Sequence, residues 1–360
     1  MDETIYLHLE DGTCFTGKSF GASLTKDVIA EVVFTTAMTG YVETLTDPSY
    51  YGQMVLHTFP LIGNYGVNLL DFESERIHMS AYLVREYCPV PSNFRSQMDL
   101  HTLLKKNNIP GIYGIDTRAL TKKLRDQGVM NGRLTATLPV SEDTAALSGW
   151  KCQDAVSQVT CQTPYVVENS AYRHHVVLLN FGAKQNIVRR LHALGCKITV
   201  VPSFYSAQNI LALKPDGIML SNGPGNPADN PEIIHQLSLL CEAKIPLFGI
   251  CLGHQLLALA NGAKTEKLKF GHRGANQPVK DMKTGRIYMT SQNHGYSVLS
   301  DTLPENAVLA FLNLNDNTCE GIRYSAFPGL SVQFHPEACQ GPKDTEYLFS
   351  EFIKMMERRV

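Results

Sequence analysis

Pro246-Leu247-Phe248-Gly249-Ile250-Cys251-Leu252-Gly253-His254-Gln255-Leu256-Leu257-Ala258 is an apolar run that ends in Gly-x-Cys-x-Gly and passes into a series of strong helix formers. It reads as a buried strand, a tight turn and a helix, with Cys251 at the turn. The pattern is a nucleophile elbow with sulfur in place of oxygen. Glycines flank the cysteine because a residue on so sharp a turn needs neighbours without a Cβ, leaving room for substrate and adjacent backbone. The start of a helix, with its unpaired N–H groups and its dipole, is a setting in which cysteines become reactive. A lone cysteine is more often a buried, inert one; here the flanking pattern argues for a nucleophile.

Outward from the elbow, Ile245 to Ala263 carries no Asp, Glu, Lys or Arg. That length would just span a bilayer. Pro246, three glycines, His254, Gln255 and Asn261 interrupt it, so no membrane segment is expected. At 360 residues the chain has room for two domains, each with its own core. A net charge of −2 gives no reason to expect a nucleic-acid or acidic-membrane partner. The nine cysteines include no C-x-x-C pair, and no apolar signal-peptide core is evident near the N-terminus, so a reducing, cytoplasmic setting is expected. The histidines do not fall into metal-ligand spacings, so no metal site is expected, and His174-His175 reads as a solvated linker feature.

The N-terminal part reads as β-rich. Ile5, Leu7 and Leu9 alternate with polar residues up to the hairpin signal Asp11-Gly12, a second run follows at Cys14-Phe15-Thr16, and Ala30 to Thr35 is a further strand. Asp47-Pro48-Ser49 is a turn on local chemistry alone. Asp116-Thr117 can cap a helix that runs through Leu124 and stops at Gly128, and Asn131-Gly132 reads as a turn before a strand from Arg133 to Leu138. Periodicity is lost between about Lys151 and Arg173, which places the domain boundary there: an N-terminal domain with its linker at 1–171, and a second domain at 172–360.

In the second half, Val176 to Asn180, Ile198 to Val201, Gly217 to Leu220 and Pro246 to Ile250 are continuous apolar runs alternating with helical segments. That alternation means an α/β fold with a doubly wound, mostly parallel sheet covered on both faces, preceded by the β-rich α/β N-terminal domain. Sites in such sheets lie at the carboxyl ends of the strands. The loop Ser221-Asn222-Gly223-Pro224-Gly225-Asn226-Pro227 follows one of them and exposes backbone N–H groups, as an oxyanion hole requires and as a plain tight turn also would. Gly329 to Phe334 is a strand ending in His335-Pro336-Glu337. An imidazole held in one tautomer by a carboxylate is what a cysteine nucleophile needs as its base, so Cys251, His335 and Glu337 form a candidate triad.

These motifs, in this order, resemble the three signatures of the class I (triad) glutamine amidotransferases. Thr39-Gly40-Tyr41, Thr46 to Tyr50, Ile62 to Gly66, Gly114 to Arg118, Gly271 to Val279 and Gln292-Asn293-His294-Gly295-Tyr296 further resemble the small, glutamine-hydrolysing chains of carbamoyl-phosphate synthases. The match runs along essentially the whole chain. It implies that Cys251 attacks the side-chain amide of L-glutamine, that His335 protonates the departing ammonia and then activates water, and that Glu337 orients His335. The oxyanion donors would be the backbone N–H groups of Leu252 and Gly223. Gln255, Gly225, Asn293, Gly295, Tyr296 and Ser49 match glutamine-binding positions, Ser49 from the other domain.

The resemblance also implies a large synthetase chain as partner, making carbamoyl phosphate from bicarbonate and ATP for arginine or pyrimidine synthesis, and it leaves room for higher-order assembly of the heterodimers. No cofactor is expected on this chain; ATP and magnesium would belong to the partner. An internal route for ammonia has a physical reason, since free ammonia in neutral water is mostly ammonium, which has no lone pair for attack.

Overall fold

The computed structural model describes residues 3–138 and 145–358 and divides into two compact units, Met1–Ala155 and Val156–Val360. In the first unit the alternation of Ile5, Leu7 and Leu9 makes β1 (Thr4–Leu9), with all three side chains buried, and the chain returns antiparallel as β2 (Cys14–Gly21). Then follow β3 (Val28–Thr35), α1 (Tyr41–Thr46), β4 (Gln53–His57), β5 (Leu61–Ile62), β6 (Ala81–Leu83), β7 (Glu86–Tyr87), α2 (Leu100–Lys106), β8 (Pro110–Tyr113), α3 (Thr117–Gln127), β9 (Met130–Thr135) and α4 (Ala145–Ser148). Seven strands close into a barrel in the order β1-β2-β8-β6-β4-β3-β9, and β5 pairs with β7.

Helix α3 begins and ends where local chemistry sets it: the Asp116 carboxylate accepts from the Ala119 N–H at 2.9 Å, and Gly128 follows the last turn at φ 105°. Asn131-Gly132 is a correction to the sequence reading. It is no turn but the interior of β9, paired with β1 on one side and β3 on the other. A Cβ on Gly132 would come within 2.8 Å of Val32 and 3.2 Å of Leu7, so the glycine is there for close strand packing rather than for a bend.

The second unit begins earlier in the chain than the 171/172 division expected from the loss of periodicity. α5 (Ala155–Val159) puts Val156 into its core, and β10 (Tyr165–Val167) joins its sheet, both within the stretch whose periodicity is too short to read. The remaining elements are β11 (His174–Asn180), α6 (Gln185–Ala193), β12 (Cys196–Pro202), α7 (Ala207–Ala212), β13 (Gly217–Leu220), α8 (Pro231–Glu242), β14 (Leu247–Ile250), α9 (Leu252–Ala260), β15 (Thr265–Asp281), β16 (Ile287–Val298), β17 (Ala307–Asn313), β18 (Cys319–Tyr324), β19 (Gly329–Val332) and α10 (Tyr347–Glu357). His174-His175, read from sequence as a solvated linker, opens β11, and the His175 ring lies 2.8 Å from the Thr199 hydroxyl.

Ten strands form one sheet in the order β10-β12-β11-β13-β14-β19-β18-β16-β15-β17. Its centre, β12-β11-β13-β14-β19, is parallel, and an antiparallel wing carries β18, β16, β15 and β17. Successive residues of a central strand go to opposite faces. Val177 and Leu179 pack with residues of α7, α8 and α9, whereas Val176 and Leu178 pack with residues of α6 and α10. Burial on both faces is why these strands are continuous apolar runs, and it confirms the doubly wound α/β reading. Among the described residues no helix is long and apolar enough to cross a membrane.

Candidate active site

Three loops leave the carboxyl ends of neighbouring parallel strands β13, β14 and β19, and each carries one of the motifs. At the end of β14 the chain turns into α9 through Cys251, which has φ 52° and ψ −104°. That backbone is unfavourable for a residue with a side chain, by about 1–3 kcal/mol, and persists only where its surroundings enforce it. Here the Cys251 N–H donates to the Val332 carbonyl at 2.8 Å, and its carbonyl accepts from the Gln255 N–H at 3.1 Å. Both flanking glycines are required by backbone contact. A Cβ on Gly249 would stand 2.8 Å from the Gly253 carbonyl oxygen, and one on Gly253 would stand 2.4 Å from that of Leu220. The elbow thus wedges the start of α9 against the end of β13.

The loop after β13 is drawn just as close. A Cβ on Gly223 would meet the Phe181 carbonyl oxygen at 2.2 Å and the Leu252 side chain at 2.8 Å, so the two residues expected to supply oxyanion donors are packed together. Leu252 is the first residue of α9, where helix geometry provides its N–H no intrahelical acceptor. The Asn222 side chain fixes this loop by accepting from the Lys184 N–H at 3.0 Å and donating to the Gly182 carbonyl at 2.9 Å.

His335 and Glu337 are both buried, and the His335 Nδ1–H donates to Glu337 Oε1 at 2.7 Å. That bond leaves Nε2 as the other ring nitrogen, buried and without a hydrogen-bond partner among the described residues, close enough to the Cys251 thiol for the two to influence each other. Lys184, also buried, brings its Nζ to 3.4 Å from Glu337 Oε1 and 3.2 Å from His335 Nδ1, so lysine and imidazole share one carboxylate oxygen. Asn186 donates to the Glu337 backbone carbonyl. Burial is the largest influence on His335 and, with the Lys184 charge, pushes it down; Glu337 and Cys251 push it up and prevail, leaving it at about 9. Burial acts to raise Glu337, but the His335 and Lys184 charges and its hydrogen bonds hold it at about 2. The arrangement can deliver a proton through Nε2 while Glu337 stays ionised behind it.

Strand β16 also runs beside Cys251. The Asn293 carbonyl lies 3.6 Å from the Cys251 sulfur. Gln255, one turn into α9, donates from Nε2 to the Tyr296 carbonyl at 2.7 Å and to Gln333 Oε1 at 2.9 Å. Gly295 sits against the Arg273 guanidinium, which a Cβ there would approach to 3.2 Å. This segment is braced from behind by a polar cluster, buried except for Asp316, that no sequence spacing announced: His272 lies 2.7 Å from Asp316 and 3.0 Å from Gln292 Oε1, and Gln292 donates to Glu320 at 2.8 Å. Burial pulls His272 down, but Asp316 and Glu320 outweigh it and hold it at about 9, so it is a cationic brace at neutral pH.

Of the residues expected from sequence, Cys251, Leu252, Gly223, His335, Glu337, Gln255, Asn293, Gly295 and Tyr296 stand in this constellation, and Gly225 lies in the same loop as Gly223 with φ 89°. Ser49 belongs to the first unit, buried in a single 3-10 turn, where its N–H donates to the Asp47 carboxylate at 2.9 Å. Sequence reasoning missed Lys184 and Asn186, and quoted Asn222 as part of its loop without a role for its side chain. Lys184 and Asn186 follow β11, and the rule that sites sit beyond strand carboxyl ends is the signal that could have found them.

Comparison with known proteins bears on both units. Residues 7–134 match the family model described as carbamoyl-phosphate synthase small chain, CPSase domain, and residues 177–355 match that of class-I glutamine amidotransferases. A carbamoyl phosphate synthase small chain from Clostridium perfringens is 49% identical over 349 residues, covering 97% of this chain and 98% of its own length. One from Bacillus cereus is 51% identical over 354 residues, covering 98% of this chain and 95% of its own. Among solved structures, a glutamine amidotransferase from Thermotoga maritima is 16% identical with a TM-score of 0.38, covering 52% of this chain and 86% of that one.

Proposed function

The chain belongs to the carbamoyl phosphate synthase small chain family and is a glutamine amidotransferase subunit, and from that premise we propose that it hydrolyses L-glutamine at Cys251 and hands the ammonia to a large synthetase chain. The Cys251 sulfur attacks the side-chain amide carbon, its S–H proton passing to His335 Nε2 as the C–S bond forms. The resulting oxyanion accepts from the backbone N–H groups of Leu252 and Gly223. His335 gives a proton to the amide nitrogen, the C–N bond breaks, and ammonia leaves a glutamyl thioester. His335 then takes a proton from water as the water attacks the thioester, and passes it to the sulfur as the C–S bond breaks, releasing glutamate and restoring the cysteine. Glu337 holds the imidazole through Nδ1, so that Nε2 alone meets the reacting atoms. Lys184 positions that carboxylate. Gln255, Asn293, Gly295, Tyr296 and Gly225 bind the glutamine.

The observation that carries this reading is the buried His335–Glu337 pair, in which His335 Nε2 has no hydrogen-bond partner among the described residues, beside a strained Cys251. A buried polar atom left unsatisfied in this way points to a catalytic role. The large chain, with ATP, magnesium and bicarbonate, makes carbamoyl phosphate from the ammonia for arginine or pyrimidine synthesis. Cys251→Ala is expected to abolish glutamine-dependent carbamoyl phosphate formation by the assembled enzyme while ammonia-dependent formation survives. Loss of both with the complex intact would make Cys251 structural and overturn the proposal.

A further inference from the structure

Donor and acceptor chemistry fixes the orientation of two buried amides beside Cys251. The Tyr296 backbone carbonyl can only accept, so the Gln255 atom 2.7 Å from it is the NH2 nitrogen. That nitrogen is also 2.9 Å from the Gln333 side chain, which must then present its oxygen. Both hydrogens of Gln255 Nε2 are thereby engaged within the protein. Gln333 follows β19, fully buried, and its N–H donates to the Glu320 carbonyl at 2.9 Å. Its own Nε2 is buried without a partner among the described residues. This amide is therefore held by what it accepts, since its donor group contributes no bond.

We propose that Gln333 is a positioning residue for substrate: by taking the second N–H of Gln255, it leaves that side chain only its carbonyl oxygen to offer, so that Gln255 recognises an N–H donor of glutamine, its ammonium or its amide, rather than its carboxylate. The inference rests on the assignment of Gln255 to the glutamine site. Without the Gln333 oxygen the Gln255 amide has one anchor instead of two. It can then rotate about its terminal torsion, and its oxygen is no longer preset.

The test is glutamine hydrolysis by the full-length chain. Gln333→Met, which keeps the length and removes the acceptor, is expected to raise KM about tenfold with kcat within about twofold. Gln333→Glu, which keeps an oxygen toward Gln255, should restore KM to within about threefold of the parent. Because Gln333 acts through Gln255, adding Gln333→Met to Gln255→Ala should change KM by less than about twofold. An unchanged KM in Gln333→Met, or effects that multiply in the double variant, would overturn the proposal. Failure of the underlying reading looks different: Cys251→Ala would still hydrolyse glutamine. Should Gln333→Met not fold, a crystal structure of Cys251→Ala with glutamine bound decides. Gln255 Oε1 must lie within hydrogen-bond distance of a glutamine nitrogen, and a glutamine carboxylate oxygen in that place would sink the idea.

Discussion

At the scale of single residues, His335 sets the pH behaviour. In the proposed mechanism it must carry a proton to release ammonia, and it is held at about 9, so glutamine hydrolysis should fall on the alkaline side with a midpoint near that value. Two substitutions identify the group, because they move the limb in opposite directions. Lys184→Met removes a charge that pushes His335 down and should shift the limb upward; Glu337→Gln removes one that pushes it up and should shift the limb downward. Profiles of kcat/KM against pH for the three proteins check this, and a limb that stays put in both variants would assign it to another group. The same shifts act on stability. His335 is raised in the folded chain, so its contribution is complete below the ordinary imidazole value and is lost as pH rises through about 9. Glu337 is depressed, so its contribution is complete above the ordinary carboxylate value and is lost as pH falls through about 2. Cys251, His335 and Glu337 were legible because each ends an apolar run with distinctive neighbours. Lys184 was not: a lysine two residues past a glycine turn looks solvated until the fold buries it beside a carboxylate.

Among elements, the elbow is the most constrained. Gly253→Ala drives a methyl into the Leu220 carbonyl and should cost roughly 1–3 kcal/mol of stability. The cysteine moves with it, and hydrolysis should drop about a hundredfold. Gly149→Ala is the matching control, since nothing lies within 4 Å of a Cβ there, and it should stay within about 0.5 kcal/mol. Urea midpoints compared with kcat/KM test the pair; equal stabilities would refute the wedging of α9 on β13. The strands and helices around this elbow could be read from sequence because central parallel strands are apolar throughout. Gly132 could not, because Asn-Gly has the same local chemistry in a hairpin turn and in a crowded strand, and only the neighbouring Val32 and Leu7 decide between them. The long antiparallel pair β15 and β16 was equally opaque: its inward residues near the site are polar, engaged in the His272 cluster, so no apolar alternation marks them.

For the whole molecule, the proposed transfer of ammonia to a second chain makes a statement about rate. A chain that hydrolysed glutamine without an acceptor would waste it, so the isolated chain is expected to be a poor glutaminase that the large chain activates. A hundredfold rise in kcat on assembly corresponds to about 2.7 kcal/mol of preference for the aligned arrangement of Cys251, His335 and the oxyanion donors. Glutaminase kcat for the chain alone and with saturating large chain, bicarbonate and ATP measures it, and a lone chain already at the full rate would refute it. Division into two units was legible from the change in strand character along the chain. Its position was displaced because α5 and β10 are too short for periodicity to show, and only their packing assigns them to the second unit. Closure of the first barrel carries a consequence in time. The seam is β9, which pairs with β1 and β3, so β1 must meet a strand more than a hundred residues away before the ring shuts. A ribosome has to deliver Thr135 before Tyr6 finds its partner there, and until then β1 offers a raw edge to any other chain.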